Sequence, residues 1–258
     1  DDGARAGEGG RMTFTQLRAY LTNFLQANAS GAGAGIWSQS EMDQYLRDGE
    51  LKMFLRVANK HENFFKTSTT LSETANTATI NLPTNTYRLL KLERIVGFNA
   101  SSTNPIAMNP IDRNVSSETV ARSWDYLLVN SGQAQYPMNY EMHGQKQIEL
   151  FPTPSASATD SLKLTYVYRP ASMSSGSDTP FQISAGAATS GTDNLEEFHD
   201  LIALYALEAC LLKEEGYAQM DRIMAKRRER EAELDAFMRQ MQTQATRGPN
   251  ITPDEWDW

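Results

Sequence analysis

The chain has 258 residues, enough to bury a substantial core, and its formal net charge is −8 at pH 7. This charge argues against a general nucleic-acid binder that depends on phosphate contacts. No apolar run approaches the roughly 20 residues that a membrane span needs, no signal sequence opens the chain, and the single cysteine excludes an internal disulfide. We therefore expect a soluble, mildly acidic protein that is made inside a cell.

Two helices are predicted near the N-terminus. Apolar residues at three- and four-residue steps predict the first from Thr13 to Asn28. Ser38 and Glu41 then form the S-x-x-E pattern of a capping box, which predicts the start of a second helix that reaches His61. Gly49 lies in the middle of this helix, where glycine is expected to cost about 1 kcal/mol relative to alanine.

A β-region follows, because the apolar residues change to a period of two. Alternation predicts strands at residues 77–82 and 90–98 and a short strand at 106–108, followed by a helix at Asp112–Asn130. The block from Pro137 to Pro170 predicts three antiparallel strands, each with one buried face, separated by Gly, Pro and polar residues.

The C-terminal half begins with a loop at residues 171–194 that is rich in Ser, Gly, Thr and Ala. It is too long for an ordinary connection, so we expect it to be functional or mobile. Asp193 and Glu196 suggest a capping pair that opens long C-terminal helices, with a break near Gly216.

A mixed-charge run, Lys226 to Glu233, lies within these C-terminal helices. Opposite charges four residues apart support an exposed helix, so a solvated face is the first interpretation. The alternative is a subunit interface or a surface that faces DNA. The candidate residues for that role are Lys226, Arg227, Arg228 and Arg230.

The C-terminal segment, residues 243–258, contains prolines that prevent a continuous helix. It also carries the large apolar residues Ile251, Trp256 and Trp258 among carboxylates. Such a segment is typical of a docking peptide that orders on a partner. The alternative is a tail that folds back on its own core.

No familiar catalytic or metal-binding pattern occurs in the sequence. His61, His143 and His199 are not at zinc-ligand spacing. Glu196 and His199 form one Glu-x-x-His pair, but a di-iron bundle needs two, so we expect a surface carboxylate beside a polar histidine. Cys210 lies among leucines and is expected to be a buried structural thiol. We therefore predict no enzyme, no metal site and no cofactor.

In this order, the elements resemble the head-to-tail adaptor proteins of tailed bacteriophages over roughly Thr13 to Met241. The loop at 171–194 does not align with that pattern. The residues that carry the resemblance are Thr15, Leu17, Arg18 and Leu21 in the first helix, Trp37, Ser38, Glu41, Met42, Tyr45 and Leu46 in the second, Leu82 and Pro83, and the sheet residues Pro137, Tyr140, Gly144, Ile148, Leu150, Phe151, Pro152, Pro154, Leu164, Tyr166, Tyr168 and Pro170.

The resemblance implies a structural virion protein of the neck, made in the host cytoplasm, that forms a homo-oligomeric ring, a dodecamer, below the portal. Such a ring extends the DNA channel, joins a tail or nozzle protein, and lets genomic DNA pass through its lumen without sequence-specific binding. The C-terminal segment of such adaptors contacts the portal protein, which implies that role for Ile251, Trp256 and Trp258. No membrane is involved.

The expected fold class is α+β, an antiparallel helical bundle with an inserted small antiparallel β-region and an extended C-terminal tail. The predicted parts are a disordered extension at 1–12, a helix pair at 13–70, the β-region with one helix at 71–170, the loop at 171–194, C-terminal helices at 195–242 and the docking tail at 243–258. Two other functions stay open. One is another neck or tail ring component, such as a stopper or tail-tube protein. The other is a β-sandwich module for a glycan or small ligand, with Tyr140, Tyr166, Tyr168 and Trp124 as stacking residues.

Overall fold

The computed structural model describes residues 11–28, 37–96, 104–110, 139–184, 195–214 and 217–246. The chain divides into two compact units. One comprises Asp1–His61 with Pro170–Trp258, and we call it the helical unit. The other comprises Glu62–Arg169, and we call it the β unit.

The described part of the helical unit contains four α-helices, which confirms the helices predicted on both sides of the β-region. They are α1 (Phe14–Asn28), α2 (Gln39–Lys60), α3 (His199–Glu214) and α4 (Tyr217–Thr246), with a short 3-10 turn at Glu196–Phe198 before α3. Helix α3 contacts the other three helices. Its residues from Leu201 to Leu207 are all buried, so α3 forms the centre of this core.

Helix α2 begins where the sequence predicts, and its packing against α3 accounts for Gly49 within it. Ser38 and Glu41 form the complete capping box. A Cβ on Gly49 would lie 2.6 Å from the carbonyl oxygen of Ile202 in α3. Glycine therefore lets the two helix backbones approach closely, and this packing outweighs the expected cost of glycine within a helix.

The start of α3 differs from the prediction. The 3-10 turn before it has Leu195 at its N-cap, without a side-chain hydrogen bond, so Glu196 does not complete a capping pair. Asp193 lies outside the described residues, as does the helix predicted at Asp112–Asn130.

Two four-stranded sheets form the described part of the β unit, after a 3-10 helix at Glu62–Phe65. The first, which we call the long sheet, has the order β1 (Lys66–Glu73), β8 (Ala158–Tyr168), β3 (Thr86–Val96) and β4 (Asn104–Ala107), and all of its pairs are antiparallel. The second, which we call the short sheet, has the order β2 (Thr79–Asn81), β7 (Gln147–Phe151), β6 (Asn139–His143) and β5 (Asn109–Pro110). Its β5–β6 pair is parallel and its other pairs are antiparallel.

The three strands predicted between Pro137 and Pro170 are confirmed, but they do not form one sheet. Strands β6 and β7 pair in the short sheet, whereas β8 lies in the long sheet between β1 and β3. The prediction that each strand has one buried face is wrong for β8, where Thr165 and Val167 are buried as well as Leu164 and Tyr166. Side chains on both faces of β8 are thus removed from solvent.

Strand β1 was not predicted from the sequence. Its residues, KTSTTLSE, are mostly Ser and Thr, so the apolar alternation that marks a half-buried strand is missing. The structure pairs it with β8 from Lys66 to Glu73, with an irregularity after Leu71. Pairing with β8 thus determines strand β1 more than the sequence pattern of β1 does.

A buried ion pair joins two strands of the long sheet. Arg94 in β3 donates from Nη1 to Glu73 Oε1 at 2.7 Å and from Nη2 to Glu73 Oε2 at 2.9 Å. Arg94 lies opposite Leu162 in register, so the pair is on the apolar face of the sheet. Both side chains are almost completely buried, so the Glu73 carboxylate depends on Arg94 as its charge partner.

Candidate functional site

The three residues predicted to contact the portal, Ile251, Trp256 and Trp258, lie outside the described residues. Helix α4 ends at Thr246, four residues into the segment predicted as the docking tail. Their role stays a prediction.

Arg227 of the mixed-charge run connects α4 to α3. Its Nη1 donates to Glu231 Oε1 at 2.9 Å, one turn along α4. Its Nε lies 3.3 Å from Glu208 Oε2 in α3, and its guanidinium carbon is 5.3 Å from the centre of the Tyr205 ring. Arg227 is therefore bound within its own chain.

Arg230 makes a second connection of the same kind. Its Nε and Nη2 donate to the two carboxylate oxygens of Asp200 at 2.9 and 2.8 Å, a bidentate arrangement. Its Nη2 also donates to the backbone oxygen of Glu197 at 2.6 Å, and its guanidinium lies over the ring of Phe198. The hydrogen bond to Asp200 is the main cause of a raised pKa at Arg230.

Lys226 and Arg228 differ from these two arginines because both are exposed. Lys226 Nζ donates a long hydrogen bond, 3.4 Å, to the hydroxyl of Tyr20. The interpretation as a solvated helical face thus describes Lys226 and Arg228 well, whereas Arg227 and Arg230 contact α3. A subunit or channel interface at these four residues stays a prediction.

A further ionic cluster connects α2 to α4. Arg56 donates to Glu231 Oε2 at 3.1 Å and to Asp235 Oδ2 at 2.9 Å, and Lys60 reaches Asp235 Oδ2 at 2.6 Å. Burial raises the pKa of Asp235, but the hydrogen bonds from Lys60 and Arg56 outweigh it and lower the pKa overall. The charged residues of this cluster hold helices of one unit together.

The predicted loop is ordered over its described part, residues 171–184, and it binds the start of α1. The N–H of Phe14 donates to the backbone oxygen of Asp178 at 2.7 Å, and the N–H of Thr15 donates to that of Gly176 at 3.1 Å. These bonds satisfy helix N–H groups that have no partner within the helix. This segment, which we call the clasp, is thus a structural part of the helical unit rather than a mobile loop.

His199 contributes to the same region and corrects a prediction. Its side chain is completely buried, and its Nδ1 accepts the N–H of Met12 at 3.1 Å. The expectation of a surface carboxylate beside a polar histidine is therefore wrong for His199. His199 is buried because it lies at the start of α3 and contacts the chain before α1.

Glu50 of α2 is a buried carboxylate that binds the clasp. It is 4% exposed, and its Oε1 accepts the N–H of Phe181 at 2.8 Å. Burial raises its pKa to about 7, against the effect of hydrogen bonds from the backbone of Phe181 and Met173. Sequence analysis missed it, although its spacing from Leu46 and Phe54 places it on the apolar stripe of α2.

Metal binding and glycan stacking find little support in the described residues. No group of three or more His, Cys, Asp and Glu side chains within them is arranged to hold a metal ion. Cys210 is buried, as predicted. Tyr140, Tyr166 and Tyr168 are each at most 7% exposed, so their rings are not available to stack on a glycan. Trp124, the fourth stacking candidate, lies outside the described residues.

Among the helices that the structure describes, none is both long and apolar enough to cross a bilayer.

Comparison with known proteins gives one informative match. No curated protein matches the sequence. The family model described as SU10 adaptor protein matches residues 12–253, which is nearly the whole chain. The match includes both the helical unit and the β unit, and it agrees with the resemblance seen in the sequence. The chain therefore belongs to the SU10 adaptor protein family, a family of phage head-to-tail adaptors.

Proposed function

We propose that this chain forms a ring below the portal of a tailed phage, extends the DNA channel and joins the tail machinery to the capsid. The observation that supports the proposal is the family match over residues 12–253. A phage adaptor of this family is a structural protein, so its work is binding rather than catalysis. Its place in the virion would be the neck.

In this proposal, identical copies contact one another around the ring, twelve of them if the copy number follows the family resemblance. The portal binds above the ring and a tail or nozzle protein binds below it. A net charge of −8 suits a lumen along which DNA slides without adhering, because like charges repel. DNA would pass without sequence-specific contacts.

Attachment to the portal is assigned to the C-terminal segment with Ile251, Trp256 and Trp258. Large aromatic residues supply much of the binding energy at protein interfaces when they fill pockets of a partner. We expect removal of residues 248–258 to leave the fold intact and to abolish attachment to purified portal. Co-sedimentation with portal rings measures attachment, and urea unfolding measures the fold.

A matched variant separates the aromatic anchors from the rest of the segment. Trp256→Ala with Trp258→Ala is expected to lose most of the attachment, while Thr252→Ala in the same segment should keep it. Full attachment of the truncated protein would show that the portal contact lies elsewhere in the chain. A protein that binds purified tail components but never portal would instead support a stopper or tail-tube role.

A further inference from the structure

Strand β1 is the longest strand at an edge of either sheet in the part of the chain that the structure describes. It has eight residues, and β8 is its one neighbour among the described strands. The other edge strands are β4 with four residues, β2 with three and β5 with two. An edge strand presents backbone N–H and C=O groups without a partner in the sheet, and proteins usually keep such strands short or protect them. Strand β1 is therefore the edge best suited to a further strand.

The register shows which backbone groups of β1 point away from the sheet. Leu92 of β3 lies opposite Leu164 of β8, and the carbonyl oxygen of Leu92 accepts the N–H of Met108, just after β4, at 3.0 Å. The N–H and C=O of one residue in a strand point to the same neighbouring strand, and this direction alternates along the strand. The groups of Leu92 thus point to β4, and those of Leu164 point to β1. Leu164 lies opposite Thr69, so the groups of Thr69 point to β8.

The backbone groups of Ser68 and Thr70, on either side of Thr69, therefore point outward. The side chains of both residues are exposed. The carbonyl oxygen of Thr70 accepts a long bond of 3.5 Å from the hydroxyl of Thr69, which leaves it a second lone pair. Residues 67–72, TSTTLS, include no charge, proline or glycine that would oppose a further strand. These outward groups suit pairing with another strand.

The opposite edge of the long sheet differs because it contains a proline. Pro105 of β4 lies opposite Ile95 of β3. Three residues along β3 from Leu92, the groups of Ile95 point to β8, so those of Pro105 point outward from the sheet. Proline has no N–H to donate there, and proline on an edge strand protects it against pairing. Pairing of β1 with β4 of another copy is therefore disfavoured.

We propose that β1 pairs with β1 of a second copy in an antiparallel arrangement centred on Thr69. A two-fold axis then places Thr69 opposite itself, and Ser68 opposite Thr70 of the second copy. Each of the two Ser68–Thr70 pairs exchanges two N–H···O=C bonds, which joins the long sheets of the two copies into one. The contact is isologous, because both copies use the same surface.

The length of β1 favours this centre over its neighbours. Centres at Ser68, Thr69 and Thr70 pair residues 66–70, 66–72 and 67–73 of each copy. The third includes Glu73, which is buried and hydrogen-bonded to Arg94. It also follows an irregularity in the pairing of β1 with β8. The centre at Thr69 therefore gives the longest pairing that leaves this ion pair undisturbed.

A second copy fits this edge as its occupant. Lys66 lies opposite Ser72 of the second copy, and the residues between them are uncharged, so no like charges face each other. The other described edges are short or contain proline, so a second β1 is the matching edge of this chain. One strand from each copy is far less than the roughly 20–30 residues per side of a standard interface. We therefore expect a weak, concentration-dependent dimer.

This inference goes beyond the proposed ring and does not depend on it. A two-fold contact does not close a cyclic ring, so the pairing of β1 is separate from the contacts around a ring. It concerns the free protein, in the absence of portal and tail components.

A proline variant tests the outward hydrogen bonds. Ser68→Pro removes an N–H that points outward and leaves the bonds of Thr69 to β8 in place. A dimer loses this donor in both copies, so we expect self-association to weaken at least about tenfold. Ser68→Ala keeps the N–H and should associate like the unmodified protein. Sedimentation of the free protein over a wide concentration range measures association, and urea unfolding establishes that both variants are folded.

A cysteine variant tests the register. Residues in a non-hydrogen-bonded antiparallel pair have Cα atoms about 4.5 Å apart, within the range of a disulfide. Residue 69 forms such a pair with itself, so Thr69→Cys should give a covalent dimer on mild oxidation. Thr67→Cys should not, since residue 67 lies opposite Leu71 of the second copy. Non-reducing electrophoresis measures the dimer, and the unmodified protein, with its buried Cys210, gives the background.

Three results would overturn the proposal. One is the absence of a covalent dimer with Thr69→Cys, and another is equal association by Ser68→Pro and Ser68→Ala. The third is that Thr67→Cys forms the dimer as efficiently as Thr69→Cys. If Ser68→Pro weakens binding of a purified tail component but not the association of copies, a strand of that component occupies the edge instead. A protein that gives the Thr69→Cys dimer but forms no ring on the portal would contradict the proposed function alone.

Discussion

The helical unit and the β unit use their charged residues differently. In the helical unit, Arg56, Arg227 and Arg230 bind carboxylates of neighbouring helices, so these charges belong to the fold. In the long sheet, by contrast, Lys66 lies opposite Val167, which in turn lies opposite Arg88, so this row of the register contains no carboxylate. The most conspicuous charged run in the sequence is thus partly internal to the fold.

The Glu73–Arg94 pair is the exception to this contrast and gives the largest expected effect. Arg94→Ala leaves the Glu73 carboxylate buried without a partner, and we expect a loss of about 3–5 kcal/mol in the free energy of unfolding. Urea denaturation followed by circular dichroism measures it. Such a loss would show that the β unit also contains charges that belong to the fold.

A double variant serves as the control for this pair. Glu73→Leu with Arg94→Met removes both charges and retains apolar volume, so it should recover most of the lost stability. Equal losses in the single and double variants would mean that the ion pair itself stabilises the β unit by that amount, and that leaving Glu73 unpaired adds no further cost.

Glu50 predicts a pH dependence for the helical unit. Its pKa is about 7 in the folded protein, above the 4.5 of an exposed glutamate. The folded state therefore favours the protonated carboxyl group, and this contribution is fully present below pH 4.5. It is lost as the pH rises to about 7, by up to about 3 kcal/mol. Glu50→Gln should remove this slope, so that its stability relative to the unmodified protein increases between pH 5 and pH 8.

Glu50→Leu separates charge from hydrogen bonding at the same position. It should lose the same pH dependence, but it should be less stable than Glu50→Gln at every pH because the N–H of Phe181 has no acceptor. Unfolding curves at pH 5, 6, 7 and 8 give both comparisons. A slope that persists in both variants would assign the pH dependence to other groups in the unit.

Local signals in the sequence predicted much of the fold. The capping box at Ser38 and the alternation at Ile148 and Leu150 depend on neighbours within a few residues, and the structure confirms the elements that they indicate. Strand β1 could not be predicted in this way, because its Ser and Thr residues carry no apolar pattern and its pairing with β8 joins distant parts of the chain. The same holds for Gly49, whose role depends on Ile202 in another helix.

For charged residues too, local patterns are visible in the sequence, but contacts between distant parts of the chain are not. The rows of the long sheet could not be predicted, because Lys66, Val167 and Arg88 lie far apart in sequence and become neighbours only through strand register. Arg227 and Arg230 were recognised as charged residues, yet helical spacing alone does not tell which of them face α3. By contrast, the family resemblance was visible in the order of the motifs, and the family match supports it.

Arg230 and Arg228 offer the most closely matched test of the contrast between the two units, with the smallest expected effect. They are two residues apart on α4, but Arg230 binds Asp200 in a bidentate manner, whereas Arg228 is exposed. Arg230→Met should lower the free energy of unfolding by about 1–2 kcal/mol, because it leaves Asp200 and the backbone oxygen of Glu197 without their donor. Arg228→Met should change it by less than about 0.5 kcal/mol, as expected for an exposed site. Equal effects in urea denaturation would mean that the pairing of Arg230 adds nothing to stability.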